Sequence, residues 1–153
     1  MILTWHCCPF DELSLSQLYE IMQLRQRVFI VEQNCAYLDA DDKDQNSHHL
    51  LGIDDCGLAA YARLLPPNLA YAQLNESSIG RVITHERVRR LGAGKALMQQ
   101  AVAHTHRLFG AELPIRIGAQ SYLLAFYSSF GFVSTGKEYL EDDIPHTEMV
   151  LGR

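Results

Sequence analysis

The spacing of apolar residues changes from strand-like to helix-like near the start of the chain. The stretch ILTWHC favours a strand, because isoleucine, threonine and tryptophan fit a pleated surface. In the next segment, apolar residues recur at near-helical spacing, namely Leu15, Leu18, Met22 and Phe29. Ser14 and Gln17 form a capping-box pattern at its start. The pattern therefore predicts a long helix after Ser14, with a break near Arg27.

The middle and the end of the chain alternate between both kinds of pattern. HHLLGI and LAAYARLL flank the turn DDCG and predict a hairpin, and SIGRVIT predicts a further strand. A helical stripe then follows, formed by Leu97, Met98, Ala101, Val102, Thr105 and Leu108. IRIGA predicts a strand, SYLLAFYSSF a short helix that ends at Gly131, and FVSTGKEY and HTEMVL two final strands. This order indicates a mixed α/β domain without regular βαβ alternation.

Length and composition limit the class of protein. A chain of 153 residues is expected to form a single domain over residues 1–153. No apolar run has the length of a membrane span, and MILTWHCCPF does not resemble a signal peptide, so a cytoplasmic protein without membrane contact is expected. The four cysteines lack CxxC spacing and are expected to be reduced thiols. No metal site is expected, since the adjacent His48 and His49 have no second ligand pair at a suitable spacing.

The charge pattern argues against nucleic acid as a partner. The formal net charge is −5, whereas phosphate binding needs a basic surface. Mild acidity would attract a cationic small molecule or simply aid solubility, and the sequence favours the second explanation. The segment DADDKDQN within residues 35–47 lacks the central glycine and terminal glutamate of a calcium loop. It is interpreted as a solvated acidic loop.

A glycine-rich loop, RRLGAGKAL at residues 89–97, precedes the long amphipathic helix. Its glycines and the helix N-terminus would suit a pyrophosphate, and Arg89, Arg90 and Lys95 would add positive charge. The P-loop pattern fails at Arg89 and Ala96, and the dinucleotide pattern fails at Leu97. A pyrophosphate site and a plain glycine turn are equally good explanations of the loop by itself.

Four stretches carry a resemblance to a known family. Arg89-x-x-Gly92-x-Gly94 resembles the Q/R-x-x-G-x-G/A motif of the GNAT superfamily of acyl-CoA-dependent N-acetyltransferases, and AFYSSFGF resembles its second landmark. LRQRVFIVEQNC and YLEDDIPHTEMV are similar to its ElaA-like subgroup. The resemblance implies the GNAT fold of the α/β (α+β) class. In that fold a mixed, mostly antiparallel sheet has splayed fourth and fifth strands and helices on both faces.

The resemblance also implies an activity. Acetyl-CoA would be the co-substrate, and a primary amine of a small molecule or peptide would attack it directly. Many relatives carry a glutamate as general base on the fourth strand, but SIGRVIT has none. A non-catalytic acyl-CoA-binding or sensing module therefore remains the alternative. Relatives are often homodimers, although no stretch of this chain demands one.

The matching positions imply roles for individual residues. Val82, Ile83 and Thr84 would bind the pantetheine arm like an added strand. The loop would bind the pyrophosphate through Arg89, Arg90, Leu91, Gly92, Ala93, Gly94 and Lys95, with Arg89 ordering the loop and Lys95 alternatively pointing to water. Gln120 replaces an asparagine that contacts pantetheine in many relatives.

Tyr127 matches the tyrosine that protonates the departing thiolate. A thiol pKa of about 8.5 and a tyrosine pKa of about 10 would make that transfer nearly balanced. Alternatively, Tyr127 only packs against its aromatic neighbours or hydrogen bonds the sulfur.

The general base and the acceptor are less well defined by the sequence. Glu32, His49 and His146 are candidate bases, although Glu32 could pair locally, His49 could face solvent and His146 could be a plain loop residue. Residues 25–47 and 138–147 usually wall the acceptor side in this fold. Their acidic residues are Asp39, Asp41, Asp42, Asp44, Glu141, Asp142 and Asp143. They would suit a cationic amine or form merely solvated loops.

Overall fold

Residues 1–152 are described by a computed structural model and contain one seven-stranded sheet. The strands are β1 Thr4–Pro9, β2 His48–Asp54, β3 Gly57–Leu65, β4 Ser77–Thr84, β5 Ile115–Gln120, β6 Val133–Glu141 and β7 Ile144–Leu151. Their order is β1-β2-β3-β4-β5-β7-β6. Within residues 1–152, only the β4–β5 pair is parallel, and every other neighbouring pair is antiparallel. The expected mixed, mostly antiparallel sheet is confirmed.

Three α-helices and one π-helical segment flank the sheet. They are α1 Leu15–Arg25, the π-helical segment Gln26–Glu32, α2 Ala93–Phe109 and α3 Leu124–Ser128. The predicted capping box is present at α1, where the Ser14 hydroxyl accepts from the Gln17 backbone N–H at 3.0 Å. The predicted break near Arg27 takes the form of the α-to-π change at Gln26. None of the helices within residues 1–152 is long and apolar enough to cross a membrane.

The core lies on both faces of the sheet, as the alternation of strand side chains requires. On one face, α2 and α3 pack through Leu97 and Tyr127 against a cluster that includes Leu50 of β2. On the other face, Ile21 of α1 packs against a cluster that includes Leu51, the next residue of β2. The helices therefore cover opposite faces of the same sheet.

Strands β4 and β5 separate soon after they meet. They pair only at Ser77 with Ile115 and at Ser78 with Arg116. Farther along β4, Arg81 and Val82 lie opposite one residue of β3, which is a β-bulge, and Arg81 has a φ of 51°. The gap that opens between β4 and β5 confirms the expected splayed strands.

The interpretation of residues 35–47 as a solvated acidic loop was wrong. Three of its aspartates form an ion-pair network with three arginines, namely Asp39, Asp41 and Asp44 with Arg25, Arg63 and Arg81. Arg25 is fully buried, and Asp44 is 5% exposed. Burial by itself raises the pKa of Asp44, but hydrogen bonds from Arg25 and Arg63 outweigh it and hold the pKa below its usual value. These ion pairs therefore hold the loop against α1, β3 and β4.

Candidate active site

A cavity of about 830 Å³ lies where β4 and β5 separate. Its lining brings together several residues predicted from the sequence: Glu32, Val82, Ile83, Thr84, Arg89, Gln120, Tyr127 and His146. The glycine-rich loop residues from Arg90 to Lys95 are not part of this lining. The structure therefore places the loop beside the cavity and the other predicted residues, apart from His49, within it.

The backbone of β4 is open toward the gap at its end. The His85 N–H donates to the Ala59 carbonyl at 2.7 Å, which makes this a hydrogen-bonded pair with β3. Antiparallel pairs alternate, so Tyr61 and Ile83 form the next hydrogen-bonded pair, and Thr84 points its backbone groups away from β3. Ile83 is also buried. An extended ligand in the gap would meet Thr84 and the bulge of β4 before it met the Ile83 backbone.

The loop before α2 has the geometry of an anion site. Gly92 is the N-cap of α2 at a φ of 83°, and because glycine has no side chain, no side-chain hydrogen bond caps this end of the helix. The first-turn N–H groups of Ala93, Gly94 and Lys95 therefore lack partners within the helix and carry the positive end of its dipole. Lys95 and Arg90 are exposed beside them. This arrangement suits a phosphate group that approaches from solvent.

Arg89 ties the loop to two neighbouring elements. Its Nη1 lies 2.6 Å from Glu32 Oε1 on the π-helical segment, and its Nη2 donates to the Thr84 carbonyl at 2.9 Å. Both contacts support the expected role of Arg89 in ordering the loop. Glu32 is therefore ion-paired with a residue of a distant segment, whereas the sequence had left open a pairing within its own segment.

Gln120 at the end of β5 also reaches across to this region. Its side-chain amide hydrogen bonds the amide of Gln33 at 3.2 Å, next to the π-helical segment. A ligand in the gap would have to exchange that contact for its own. Gln120 and Arg89 therefore both connect the π-helical segment to the two walls of the gap.

Tyr127 is one of the residues that line the cavity. The residue is 7% exposed, and its ring packs edge-on against Phe126 and Phe132. Burial raises its pKa to about 12. No residue within 1–152 hydrogen bonds the Tyr127 hydroxyl, which is therefore free to bond a bound molecule. The pKa of Tyr127 therefore lies farther above the thiol pKa of about 8.5 than the sequence argument expected, and proton transfer to the thiolate is not nearly balanced. Hydrogen-bond donation to a leaving sulfur fits Tyr127 better than complete proton loss.

His49 is not part of the cavity. It is fully buried, its Nδ1 lies 2.7 Å from the Tyr61 hydroxyl and its Nε2 lies 2.9 Å from the Asp44 carbonyl. Burial lowers its pKa. The possibility that His49 faces solvent was therefore wrong. Both of its ring nitrogens are used in hydrogen bonds within the protein and act in its structure. The sequence could not show this, because Tyr61 and Asp44 belong to other elements.

The other two candidate bases do line the cavity. Glu32 is held by Arg89, whereas the His146 Nδ1 lies 2.7 Å from the Ile144 carbonyl. The His146 ring stacks on Tyr139 with centroids 5.4 Å apart, and its Nε2 lies 3.5 Å from Glu141 Oε2. Each can reach the cavity, and neither is singled out by its contacts.

Tyr71 and Glu148 are among the lining residues that the sequence argument did not name, and Tyr139 lies within the expected wall 138–147 but was not singled out there. Glu148 is 9% exposed, and its carboxylate accepts from Arg116 at 2.8 Å. One signal was available, because HTEMVL places a carboxylate directly before three apolar strand residues, Met149 to Leu151. No comparable signal marked Tyr71, which lies in the loop between β3 and β4.

The acidic walls are less negative than the sequence suggested. Asp39, Asp41 and Asp44 are compensated by arginines, so they do not form an anionic rim. Glu141 and its two following aspartates remain exposed at the β6–β7 turn. Within the described residues, no group of histidine, cysteine, aspartate or glutamate side chains could hold a metal ion.

Comparisons with known proteins show which protein family the chain belongs to. The family model of the Acetyltransferase (GNAT) domain matches residues 39–152. ElaA of Escherichia coli is 41% identical over 97% of this chain and 95% of its own length. A UPF0039 protein of Synechocystis is 40% identical over 99% of this chain and 96% of its own length. The chain therefore belongs to the GNAT acetyltransferase family, with ElaA and UPF0039 proteins among its relatives.

Solved structures agree with this assignment. The crystal structure of an acyl-CoA N-acyltransferase from Pseudomonas aeruginosa has a TM-score of 0.91 and 39% identity, covering 98% of this chain and 99% of that one. The crystal structure of E. coli ElaA has a TM-score of 0.89 and 39% identity with the same coverage. The expected GNAT fold is confirmed, and the family uses acyl-CoA as its co-substrate.

Proposed function

We propose that this protein is an N-acetyltransferase that transfers the acetyl group of acetyl-CoA to a primary amine of a small molecule or peptide. The observation that carries the proposal is that Tyr127 lines the cavity and that its hydroxyl has no hydrogen-bond partner among residues 1–152. It lies in the cavity that also contains the open end of β4. A leaving thiolate in this gap would find a neutral donor there.

Acetyl-CoA binding would use the two sides of the gap. The loop from Arg90 to Lys95 would hold the pyrophosphate at the N-terminus of α2, chiefly through the free N–H groups of Ala93, Gly94 and Lys95, with Lys95 adding charge. The pantetheine arm would lie along Val82, Ile83 and Thr84 in the manner of an added strand. Gln120 would exchange its contact with Gln33 for one to the pantetheine backbone.

The chemistry would be a direct attack in a ternary complex. The amine nitrogen attacks the thioester carbonyl, a C–N bond forms, and the electron pair moves to the carbonyl oxygen. A backbone N–H of β4 stabilises this oxyanion. As the oxyanion collapses, the C–S bond breaks and Tyr127 donates a hydrogen bond to the thiolate. The amine proton passes to Glu32 or His146, directly or through water.

The decisive experiment measures CoA release from acetyl-CoA with a thiol reagent in the presence of a panel of primary amines. We expect turnover with at least one amine, and a decrease in kcat of roughly 10- to 150-fold for Tyr127→Phe, because a hydrogen bond to a charged group such as the leaving thiolate contributes about 1.5–3 kcal/mol. Tyr122→Phe is the matched control, because Tyr122 also lines the cavity but is 75% exposed. Parallel assays with propionyl-CoA and butyryl-CoA test the preference for acetyl.

A binding measurement separates the enzyme from its alternative. Acetyl-CoA at a hundred times its Kd should add about 2.7 kcal/mol to the free energy of unfolding. Stabilisation by acetyl-CoA without turnover of any amine would contradict the enzyme proposal. That result would favour the non-catalytic acyl-CoA-binding module.

A further inference from the structure

One end of the cavity is an aromatic pocket formed by Tyr71, Gly118, Tyr139 and Glu148. These residues come from the loop before β4 and from β5, β6 and β7. A Cβ added at Gly118 would overlap the Tyr139 hydroxyl and lie 3.6 Å from the Tyr71 hydroxyl. The two tyrosines therefore converge on a backbone position that only glycine leaves open, and their rings form walls of the cavity.

The side chain of a lysine lies over the ring of Tyr139, one of the two tyrosines that line this pocket. Lys137 is exposed, yet its Nζ lies over the Tyr139 ring at 5.7 Å from the ring centroid. This distance lies within the range of a cation–π contact. The Lys137 side chain is an unbranched butyl chain with a terminal ammonium group. The free protein thus shows which chemical group the face of Tyr139 accepts.

Only one of the two carboxylate oxygens of Glu148 accepts hydrogen bonds from residues 1–152. Glu148 Oε2 accepts from Arg116 at 2.8 Å and from the Thr135 hydroxyl at 2.9 Å. Glu148 Oε1 accepts no hydrogen bond from residues 1–152, although the residue lines the cavity. An ammonium group in the pocket could use the Tyr139 ring and this carboxylate oxygen, both of which belong to cavity-lining residues, whereas the Tyr71 ring already faces the Arg116 guanidinium at 5.9 Å.

We propose that the aromatic pocket is the acceptor subsite for an unbranched primary alkylammonium group, which displaces Lys137 from the Tyr139 ring when it binds. An aliphatic amine and a lysine side chain share this chemistry. The inference rests on the proposed function, since it names the class of amine that the same cavity takes. Lys137 acts as an internal competitor, so its removal strengthens binding of the external amine.

The test measures binding in the absence of acetyl-CoA. The protein is titrated with n-pentylamine, and in a parallel arm with Nα-acetyl-lysine N-methylamide, while the NMR resonances of the Tyr139 ring are followed. Pentan-1-ol is the uncharged control. We expect saturable binding of the amines only, and roughly 2- to 30-fold tighter binding by Lys137→Gln, which corresponds to the range of a cation–π contact. Whichever amine binds more tightly identifies the free amine or the lysine side chain as the source.

The Tyr139 variants test the ring itself. Tyr139→Leu should weaken pentylamine binding by a similar factor, whereas Tyr139→Phe should retain it because the ring face remains. Perturbation of the fold by Tyr139→Leu would leave the exposed Lys137→Gln variant to decide. Unchanged or weaker amine binding by Lys137→Gln, or equal binding of pentan-1-ol, would overturn the proposal.

The outcomes separate this inference from the proposed function. Pentylamine binding that responds to Lys137→Gln, without CoA release from any amine, would support the subsite and contradict the transferase. CoA release with amines whose binding is indifferent to Lys137→Gln would support the transferase and overturn the subsite.

Discussion

The buried ion-pair network gives the sharpest prediction of stability. Asp44 Oδ1 accepts from Arg25 Nη1 at 2.7 Å and from Arg63 Nη1 at 2.9 Å. Asp44→Asn keeps the shape of the side chain but removes its charge. Two buried guanidinium groups then share one carboxylate fewer, and the amide can satisfy them only in part.

The magnitude follows from what remains around the substitution. Breaking a buried ion pair typically costs about 3–5 kcal/mol. Arg25 keeps Asp39 at 2.7 Å and Arg63 keeps a two-point contact with Asp41, so we expect a loss near the lower limit, about 3 kcal/mol. For a chain of this size, that corresponds to a decrease in Tm of about 6–12 °C.

Urea unfolding at pH 7 with circular dichroism measures the effect. Asp42→Asn is the matched control, since Asp42 lies in the same loop, is exposed and has a positive φ that asparagine tolerates. We expect that control to stay within about 0.5 kcal/mol of the wild type. An Asp44→Asn variant no less stable than Asp42→Asn would refute the argument that the network holds residues 35–47 in place.

Three further predictions follow from other parts of the structure. Burial would raise the pKa values of Asp41 and Asp44, but arginine contacts outweigh it and hold them below normal, so the stability that these carboxylates contribute is present above about pH 4 and is lost as pH falls. Urea unfolding between pH 6 and 3 should therefore show a smaller loss of unfolding free energy for Asp44→Asn than for the wild type. Equal losses in the two proteins would contradict this linkage. Gly92→Ala, at a φ of 83°, should lower the free energy of unfolding by about 1–2 kcal/mol. Gly94→Ala should be neutral or stabilising by up to about 1 kcal/mol, because its methyl would meet Phe126 at an ordinary 3.7 Å; the opposite ranking in urea would refute the assignment of Gly92 as N-cap. Gly118→Ala should weaken pentylamine binding by displacing the tyrosine hydroxyl while acetyl-CoA still stabilises the protein in thermal unfolding, and unchanged amine binding would contradict the aromatic pocket.

Local features were predictable because their signals are short in sequence. The capping box and the β2–β3 turn each lie within four residues, and the glycine motif lies at the start of the helix that it caps. Each depends on backbone conformation that neighbouring residues set. The same holds for the change from α- to π-helix near Arg27, which was predicted as a break but not as a π-helix.

The chain order and the motif together predicted the family and the gap between β4 and β5. Val82, Thr84, Gln120 and Tyr127 do meet at one cavity, because the fold brings the ends of β4, β5 and α3 together. The failures have a common cause. The aspartates of residues 35–47 looked solvated, since their arginine partners lie as far as 42 residues away in the sequence.

What the sequence determined by itself is therefore the set of elements, their order and the loop that suits a pyrophosphate, since these depend on spacing and local backbone geometry. The tertiary structure alone decided which charges are neutralised, that His49 is a buried structural residue, and that Tyr71, Tyr139 and Glu148 form one pocket. Burial and pairing depend on contacts between distant segments, and no local pattern in the chain encodes those contacts.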